Sequence, residues 1–408
     1  MKKTTFSMLG AALAAVVVCG SSAASSPNSQ WRGDKRDGVY NETGLLKSWA
    51  AEGPQLRWHY DSLGQGHSSP SIAGDKIYIT GMTDSTGTLY VFDLQGQLLN
   101  KKSYGLEWSV NYHGSRSTVT VDNGKLYVFS GRGVLYCMDE KTLDLAWQKD
   151  ALHELDGKNL RFGMTESPLI VGDVIYLTPG GQENSLVALN KNTGALLWSS
   201  KGTGRLSAYC SPLYIGETEV PLVVTAFDSL LAGFDAKTGA LLWSAVQNPK
   251  HRHSPNTPYY ENGLLFSTSG SECGSVQLRI TNGGRSVEEV WRNEMDNKMG
   301  GFVKLGNYVY GSGERKRYWY CVDWETGETQ YKSDTLGMGN VIAADGMLYC
   351  YSDKGEMALV RPTPEKFDVV SRFKVTLGTE QHWAHPVIYK GTLFVRHGNT
   401  LMAYKVKG

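Results

Sequence analysis

The segments LNKNTGALLWSS (residues 189–200) and FDAKTGALLWSA (residues 234–245) repeat one pattern 45 residues apart. Each segment has an Asn or Asp, a Thr-Gly pair three and four residues later, and a Trp eight residues later. A repeat with a period of about 20–50 residues is typical of solenoids and propellers. The duplication therefore indicates a repeated structural unit.

Further copies of this turn are present elsewhere in the chain. One begins at Asp323 and has Tyr331 in place of Trp, and another begins at Asp139 with Leu143 at the glycine position. A fifth copy, near Asp93, has a shortened turn. The copies share one register, which favours a repeat architecture over a chance match.

A second motif precedes each turn: two short apolar alternating runs joined by a polar turn with a glycine. Alternation of this kind predicts half-buried antiparallel strands. Together the two motifs predict four strands in each of eight units of about 45 residues, which is the pattern of an all-β, eight-bladed β-propeller. The eight turn glycines are Gly74, Gly124, Gly172, Gly216, Gly263, Gly306, Gly346 and Gly391.

The two ends of the repeat region predict how the ring closes. The last repeat stops after its third strand, whereas residues 56–61 resemble a fourth strand without its first three. We expect this N-terminal strand to complete the eighth blade. The propeller then spans residues 56–408, and residues 25–55 form an extension that packs on it.

The first residues resemble an export signal. Lys2 and Lys3 precede an apolar run over residues 8–18, and small residues follow. The run is shorter than the roughly 20 residues that span a bilayer. We predict a signal peptide over residues 1–24 and a periplasmic or secreted protein, with an outer-membrane lipoprotein anchored through Cys19 as the alternative.

The charge balance restricts the partners. The chain has 41 Lys and Arg against 40 Asp and Glu, and no basic run is present. A nucleic-acid partner is therefore not expected. A transmembrane span is not expected either, because no apolar stretch approaches the length that crosses a membrane. We expect a monomer whose partner is an envelope protein or a glycan.

The repeated turn, following sequences such as SPLIVGDVIYLT (residues 167–178), resembles the pyrroloquinoline-quinone-like (PQQ-like) repeat. That repeat is found in quinoprotein dehydrogenases and in the outer-membrane assembly lipoprotein BamB. The resemblance implies that the repeat tryptophans are structural and dock neighbouring blades. They are Trp58, Trp147, Trp198, Trp243 and Trp291.

The resemblance to quinoprotein dehydrogenases also implies a quinone cofactor with calcium and a ring formed by two adjacent cysteines. None of the six cysteines is adjacent to another. The cysteine pattern does not support the quinone, and no cofactor or metal is assigned.

The loops that lead into the first strand of each blade should converge at one mouth of the central channel. Six of the nine histidines fall in these loops. The histidines indicate a pocket, although the same polar residues could simply bond exposed backbone. The candidate pocket residues are His67, His113, Arg116, Glu166, Tyr209, His253, Asn256, Lys298, Asn340, His382, Trp383 and His385.

Two functions fit this pattern. The first is a non-catalytic scaffold of the bacterial cell envelope that binds a ligand or partner. The second is an enzyme acting at the pocket, either a quinoprotein-type oxidoreductase or a carbohydrate-active enzyme using His as acid and base. The absent cysteine ring favours the scaffold, whereas the clustered histidines favour the enzyme, and no catalytic residue is assigned.

Overall fold

The computed structural model describes residues 28–408. The expected signal peptide and Cys19 lie outside the described residues. The described chain forms eight antiparallel four-stranded blades, one of which gains a fifth, parallel strand, and this confirms the predicted eight-bladed propeller. Over residues 28–408 the structure has no helix long and apolar enough to cross a membrane.

The first four blades follow the repeats in order. Blade 1 contains β3 (Ser71–Ala73), β4 (Lys76–Thr83), β5 (Thr86–Asp93) and β6 (Leu98–Leu106). Blade 2 contains β7 (Thr120–Asp122), β8 (Lys125–Phe129), β9 (Val134–Asp139) and β10 (Leu145–Asp150). Blade 3 contains β11 (Leu169–Val171), β12 (Val174–Leu177), β13 (Leu186–Asn190) and β14 (Leu196–Ser200). Blade 4 contains β15 (Leu213–Ile215), β16 (Leu222–Phe227), β17 (Leu230–Asp235) and β18 (Leu241–Val246).

The remaining blades complete the circle. Blade 5 contains β19 (Tyr259–Glu261), β20 (Leu264–Ser269), β21 (Gly274–Thr281), a 3₁₀ turn (Asn282–Gly284) and β22 (Ser286–Asn293). Blade 6 contains β23 (Phe302–Leu305), β24 (Tyr308–Ser312), β25 (Trp319–Asp323) and β26 (Thr329–Ser333). Blade 7 contains β27 (Gly339–Ala344), β28 (Met347–Ser352), β29 (Glu356–Arg361) and β30 (Asp368–Lys374). Blade 8 contains β31 (Val387–Tyr389), β32 (Thr392–His397) and β33 (Thr400–Lys405), with β2 (Leu56–Tyr60) as its fourth strand.

The two ends of the chain meet in blade 8. Strand β2 pairs antiparallel with β33, and Trp58 lies opposite Ala403. The closure expected from the sequence is therefore present. It closes the ring, since the first and last strands of the propeller are joined by backbone hydrogen bonds within one blade.

The hydrophobic core lies between the blades. In one cluster Tyr127 and Phe129 of blade 2 pack with Ile175 and Leu177 of blade 3, and all four are buried. Similar clusters lie between other neighbouring sheets. Burial of apolar area between sheets is the main stabilising contribution to such a ring.

The repeated Trp and Gly form the joints between blades. The indole Nε1 of Trp147 donates to the Lys191 carbonyl of the next blade at 3.1 Å. Gly194 of that blade has a φ of 70°, and a Cβ there would lie 2.7 Å from the Trp147 ring. The turn thus requires glycine for both its left-handed backbone and its contact with the indole.

The same contact recurs around the ring. Trp58, Trp243 and Trp291 donate from Nε1 to carbonyls of the following blade, and Trp198 packs on Gly239. Leu143 replaces glycine in blade 2 because the preceding outer strand β6 carries no Trp. Its φ is 59°, and its buried side chain occupies that space.

The N-terminal segment, defined here as residues 28–40, crosses one end of the central channel. Its carbonyls at Asn28 and Ser29 accept from Ile72 and Val121 of blades 1 and 2. Its β1 (Val39–Tyr40) pairs in parallel with β27 of blade 7. The channel is thereby covered at this end by the chain's own N-terminal segment.

Candidate functional site

A cavity of about 250 Å³ lies on the propeller axis, above the N-terminal segment. Its walls come from the loops that lead into the innermost strands. Of the candidate pocket residues, the structure brings together at its wall His67, Arg116, Tyr209, His253, Lys298, Trp383 and His385. The other lining residues are Trp31, Ser69, Tyr112, Thr118, Phe162, Thr165, Ser167, Ser211, Pro255 and Met299.

The floor of the cavity is built by the N-terminal segment. The ring of Trp31 meets the ring of His385 edge-on, with centroids 4.8 Å apart. The buried guanidinium of Arg32 donates to the carbonyls of Val341 and Phe302 on blades 7 and 6. These contacts fix the floor to the wall of the ring.

Arg36 secures the opposite side of the floor. Its guanidinium donates to the Ser167, Pro168 and Pro212 carbonyls of blades 3 and 4. Neither Arg32 nor Arg36 forms an ion pair with a carboxylate of the described residues. Burial lowers the pKa of both groups to about 10, so both remain protonated at neutral pH.

Aromatic rings line the mouth of the cavity. The ring centroid of Tyr112 lies 4.9 Å from that of Trp383 and 5.9 Å from that of Phe162. Phe162 continues this series to Tyr209 at 6.1 Å and to His253 at 5.2 Å. We call Trp383, Tyr112, Phe162, Tyr209 and His253 the aromatic collar.

Arg116 supports the collar from behind. Its Nε donates to the Phe162 carbonyl, and its Nη2 donates to the Asn111 and Tyr112 carbonyls. Desolvation lowers its pKa to about 10, which leaves the group charged. Arg116 therefore holds two loops together and brings a positive charge to the wall.

His67 is the most isolated polar side chain of the wall. Neither of its ring nitrogens has a hydrogen-bond partner among the described residues, and both are covered. Burial, followed by the charges of Arg116 and Arg396, lowers its pKa to about 3. An interaction with the Tyr112 backbone acts in the opposite direction and raises the pKa, but its geometry is not that of a hydrogen bond. The ring is thus neutral, with one nitrogen that can donate a hydrogen bond and one that can accept.

The other wall histidines are neutral as well. Burial lowers the pKa of His253 to about 4 and that of His385 to about 3. In both cases a neighbouring cation, Lys298 or Arg32, is the second cause.

Five candidate residues do not line the cavity. His113 is exposed, and His382 turns away to stack on His397 with centroids 3.6 Å apart. Asn256 and Asn340 are buried and use their amides to bind backbone carbonyls of neighbouring loops. The two asparagines fit the alternative interpretation, in which polar loop residues bond backbone.

Glu166 is the fifth, and it is buried behind the wall. Both carboxylate oxygens lie within hydrogen-bond distance of the Thr178 N–H. Desolvation raises its pKa to about 8, despite the nearby charge of Arg36. Glu166 is therefore mostly protonated at neutral pH and contributes little negative charge to the site.

The wall contains no carboxylate and no thiol among the described residues. Within residues 28–408 no group of three His, Cys, Asp or Glu residues could hold a metal ion. The five cysteines of this range are free thiols, and four of them are buried. Cys137 and Cys321 fill space inside blades 2 and 6.

Three aromatic residues of the cavity, Tyr112, Phe162 and Trp31, were not among the candidate residues. Tyr112 reaches the collar with a left-handed backbone, φ 43°, as does the candidate residue Tyr209 with φ 71°. Such a conformation is uncommon outside glycine and gave no sequence signal here. Trp31 was missed because its position depends on the path of the N-terminal segment across the ring.

The repeats connect this architecture to known proteins. A family model described as outer membrane protein assembly factor BamB matches residues 87–218 and 175–364, together more than half of the chain. The chain belongs to the PQQ-like repeat propeller family. This propeller carries the family's blades around an axial cavity.

Curated relatives match part of this PQQ-like propeller. The outer membrane protein assembly factor BamB of Shewanella oneidensis is 23% identical over 217 residues, which are 50% of this chain and 49% of that protein. The quinoprotein ethanol dehydrogenase of Pseudomonas aeruginosa is 25% identical over 189 residues, 45% of this chain and 24% of that enzyme. The chain thus spans about half or less of the length of these relatives.

A solved structure supports the fold of the PQQ-like propeller. BamB from Moraxella catarrhalis superposes on this chain with a TM-score of 0.64. The match covers 86% of this chain and 99% of the Moraxella chain. Its sequence identity is 14%, so the likeness concerns the fold alone.

Proposed function

We propose that this PQQ-like propeller is a non-catalytic binding protein of the bacterial cell envelope. It holds a ligand in the axial cavity and acts as a scaffold for an envelope protein. One observation carries the binding role: the cavity combines an aromatic collar with positive charge and hydroxyl groups, and its wall has no carboxylate or thiol. Such a lining suits recognition, because aromatic faces and a few polar groups are typical of ligand pockets.

Acid–base catalysis has little support at this site. An efficient general base has a pKa near the working pH. The wall histidines His67, His253 and His385 have pKa values lowered to about 3 or 4. Most glycosidases also need two carboxyl groups at the scissile bond, whereas Glu166 lies behind the wall.

The quinone and calcium of the family's dehydrogenases do not fit the residues of this cavity. Calcium is held by six to eight oxygen ligands, usually including carboxylates, and no carboxylate lines the wall. No pair of the described cysteines is bonded. We therefore derive no redox step for this chain.

The envelope location and the scaffold role are supported by the match to BamB. That relative is named as an outer membrane protein assembly factor, so an outer-membrane protein is the partner that we propose. Fractionation by osmotic shock tests the location. Release of the protein with periplasmic markers, or its retention with outer-membrane lipoproteins, agrees with the proposal, and recovery with cytosolic markers contradicts it.

Turnover and binding can be measured on the same preparation. The purified protein is supplied with pyrroloquinoline quinone, calcium, an alcohol and a redox dye, and separately with nitrophenyl glycosides. We expect no turnover above background, while ligands quench the fluorescence of Trp31 and Trp383. Turnover that disappears when the wall residue Thr165 is replaced by Val would contradict a non-catalytic role.

A further inference from the structure

The cavity wall is rich in hydrogen-bond donors. Three wall serines use their hydroxyl oxygens to accept hydrogen bonds from backbone N–H groups. Ser69 Oγ accepts from the N–H of His385 at 3.0 Å. Ser167 Oγ accepts from the N–H of Thr118 at 3.0 Å, and Ser211 Oγ accepts from the N–H of Ser167 at 2.9 Å. A hydroxyl has one proton and two acceptor positions. In the described part of the chain these three hydroxyl protons have no acceptor, so each hydroxyl can donate a hydrogen bond to a ligand.

Positive charge is concentrated next to two of these serines. Arg36 donates to the carbonyls of Ser167 and Pro212, which places its buried guanidinium directly behind the Ser167–Ser211 pair. Its nearest acidic neighbour, Glu166, is mostly protonated at neutral pH. A buried cation without a charged partner is costly, and an anion among the serine hydroxyls would offset that cost.

The rest of the wall offers both ring faces and neutral hydrogen-bonding groups. The aromatic collar presents Trp383, Tyr112 and Phe162 to the cavity. Beside it, His67 contacts the Trp383 ring, with centroids 5.1 Å apart, and has one donor and one acceptor without partners. Thr118 and Thr165 add hydroxyls. A purely aromatic acid would leave the wall hydroxyls without partners, whereas a polyhydroxylated ring can bond to them and still present a C–H face to the collar.

We infer that the cavity binds an acidic sugar, a monosaccharide-sized ring bearing one oxyanion. The oxyanion lies among the Ser167 and Ser211 hydroxyls beside Arg36, and the sugar ring lies against the collar, next to His67. This inference rests on the proposed binding function and names its ligand class. The shared chemistry is a hydroxylated ring with a carboxylate or phosphate, either as a free sugar or as the end of a glycan.

Matched ligands test the inference by calorimetry on the full mature chain. D-Glucuronate and glucose 6-phosphate are compared with D-glucose, and 4-hydroxybenzoate serves as an aromatic acid without sugar hydroxyls. We expect at least one acidic sugar to bind 10-fold or more tightly than glucose and than 4-hydroxybenzoate. Tighter binding of a uronate-ended oligosaccharide than of glucuronate indicates a glycan end, and the reverse indicates a free sugar.

Two substitutions separate the anion contact from the ring contact. Ser211→Ala should weaken the acidic sugar about 5- to 10-fold and leave glucose unchanged, while Ser211→Thr, which keeps the hydroxyl, restores binding. Trp383→Leu should weaken acidic and neutral sugars by similar factors. Ser244→Ala on the exposed outer strand of blade 4 is the matched control and should change nothing.

The two proposals fail in different ways. Equal binding of glucose and glucuronate, or stronger binding of 4-hydroxybenzoate, overturns the acidic-sugar inference and leaves the binding function intact. If none of these compounds binds the folded protein at millimolar concentration, the acidic-sugar inference is overturned, whereas the proposed binding function is overturned by turnover at the cavity. If Ser211→Ala does not fold, Ser167→Ala provides the second variant that lacks a hydroxyl at the anion position, and unchanged discrimination between glucuronate and glucose in it counts against the inference.

Discussion

Arg32 Nη1 lies 2.8 Å from Nδ1 of His385, although 353 residues separate them in the chain. Because a guanidinium can only donate, Nδ1 must accept, and the proton of His385 resides on Nε2. That nitrogen lies 3.0 Å from the Met299 carbonyl, which accepts it. The N-terminal segment thereby fixes the tautomer of a cavity residue and links it to blade 6.

This relationship predicts a large stability loss on replacing Arg32. Arg32→Met leaves the buried carbonyls of Val341 and Phe302 without their donor. We expect the free energy of unfolding to fall by roughly 3 kcal/mol or more, since each unsatisfied buried polar group costs about 1–3 kcal/mol. Urea unfolding measures the change.

The neighbouring Lys35 is exposed, and Lys35→Met should shift stability by less than about 0.5 kcal/mol. Equal effects of the two substitutions would contradict the role of Arg32.

The blade joint predicts a difference between two glycines. Gly194 and Gly124 both have left-handed backbones, with φ of 70° and 75°. A Cβ on Gly124 meets open space, whereas a Cβ on Gly194 meets Trp147. Gly124→Ala should cost about 1–2 kcal/mol for its backbone alone, and Gly194→Ala should cost about 1–3 kcal/mol more.

Thermal unfolding of both glycine variants gives this difference. Repeating it with Trp147→Leu tests the cause, because the excess cost at Gly194 should shrink once the indole is absent. An excess that persists without Trp147 would show that the joint is not its source.

The buried Glu166 predicts a pH dependence of stability. Its pKa is raised from 4.5 to about 8 by desolvation, so the unfolded chain releases this proton at lower pH than the folded chain. The contribution of the protonated group is complete below about pH 4.5 and is lost as pH rises toward 8, by up to roughly 5 kcal/mol. Glu166→Gln should therefore flatten the decline in stability between these pH values. Glu183→Gln, an exposed carboxylate at a neighbouring loop, is the control and should leave the profile unchanged.

The cysteines predict a simple pattern of thiol reactivity. Cys137, Cys210, Cys321 and Cys350 are buried, and Cys273 is partly exposed. Burial raises the pKa of each of these thiols, which reduces the reactive thiolate. In a chain beginning after residue 24, Ellman's reagent should titrate at most one thiol slowly in the native state and all five in denaturant. Cys273→Ser should abolish the native reaction, and fewer than five thiols in denaturant would reveal a disulfide.

The fold could be predicted because its determinants are local and repeated. The Thr-Gly turn at Gly194 and the tryptophan at position 198 serve adjacent joints, and the same spacing recurs in other blades. A period of this kind is visible without knowledge of distant contacts. The closing strand was predictable for the same reason, since residues 56–61 match the strand missing from the last repeat.

The cavity was predictable only as a location. Loop position indicated that His67 and Trp383 lie near the axis, but it could not give the direction of each side chain. His113 and Tyr112 are adjacent in sequence, and only Tyr112 lines the cavity, because the left-handed backbone at Tyr112 sets where each side chain points. Arg36 and Trp31 act through contacts with distant blades, which no local pattern records.

The pairing of β2 with β33 makes the two ends of the chain one cooperative unit. The strands belong to the first and last parts of the propeller, and each supplies the other's backbone partners. Regions of a protein that open together exchange their amide protons together. Fraying at the C-terminus therefore releases the N-terminal strand as well, and hydrogen exchange in β2 and β33 should rise at the same denaturant concentration.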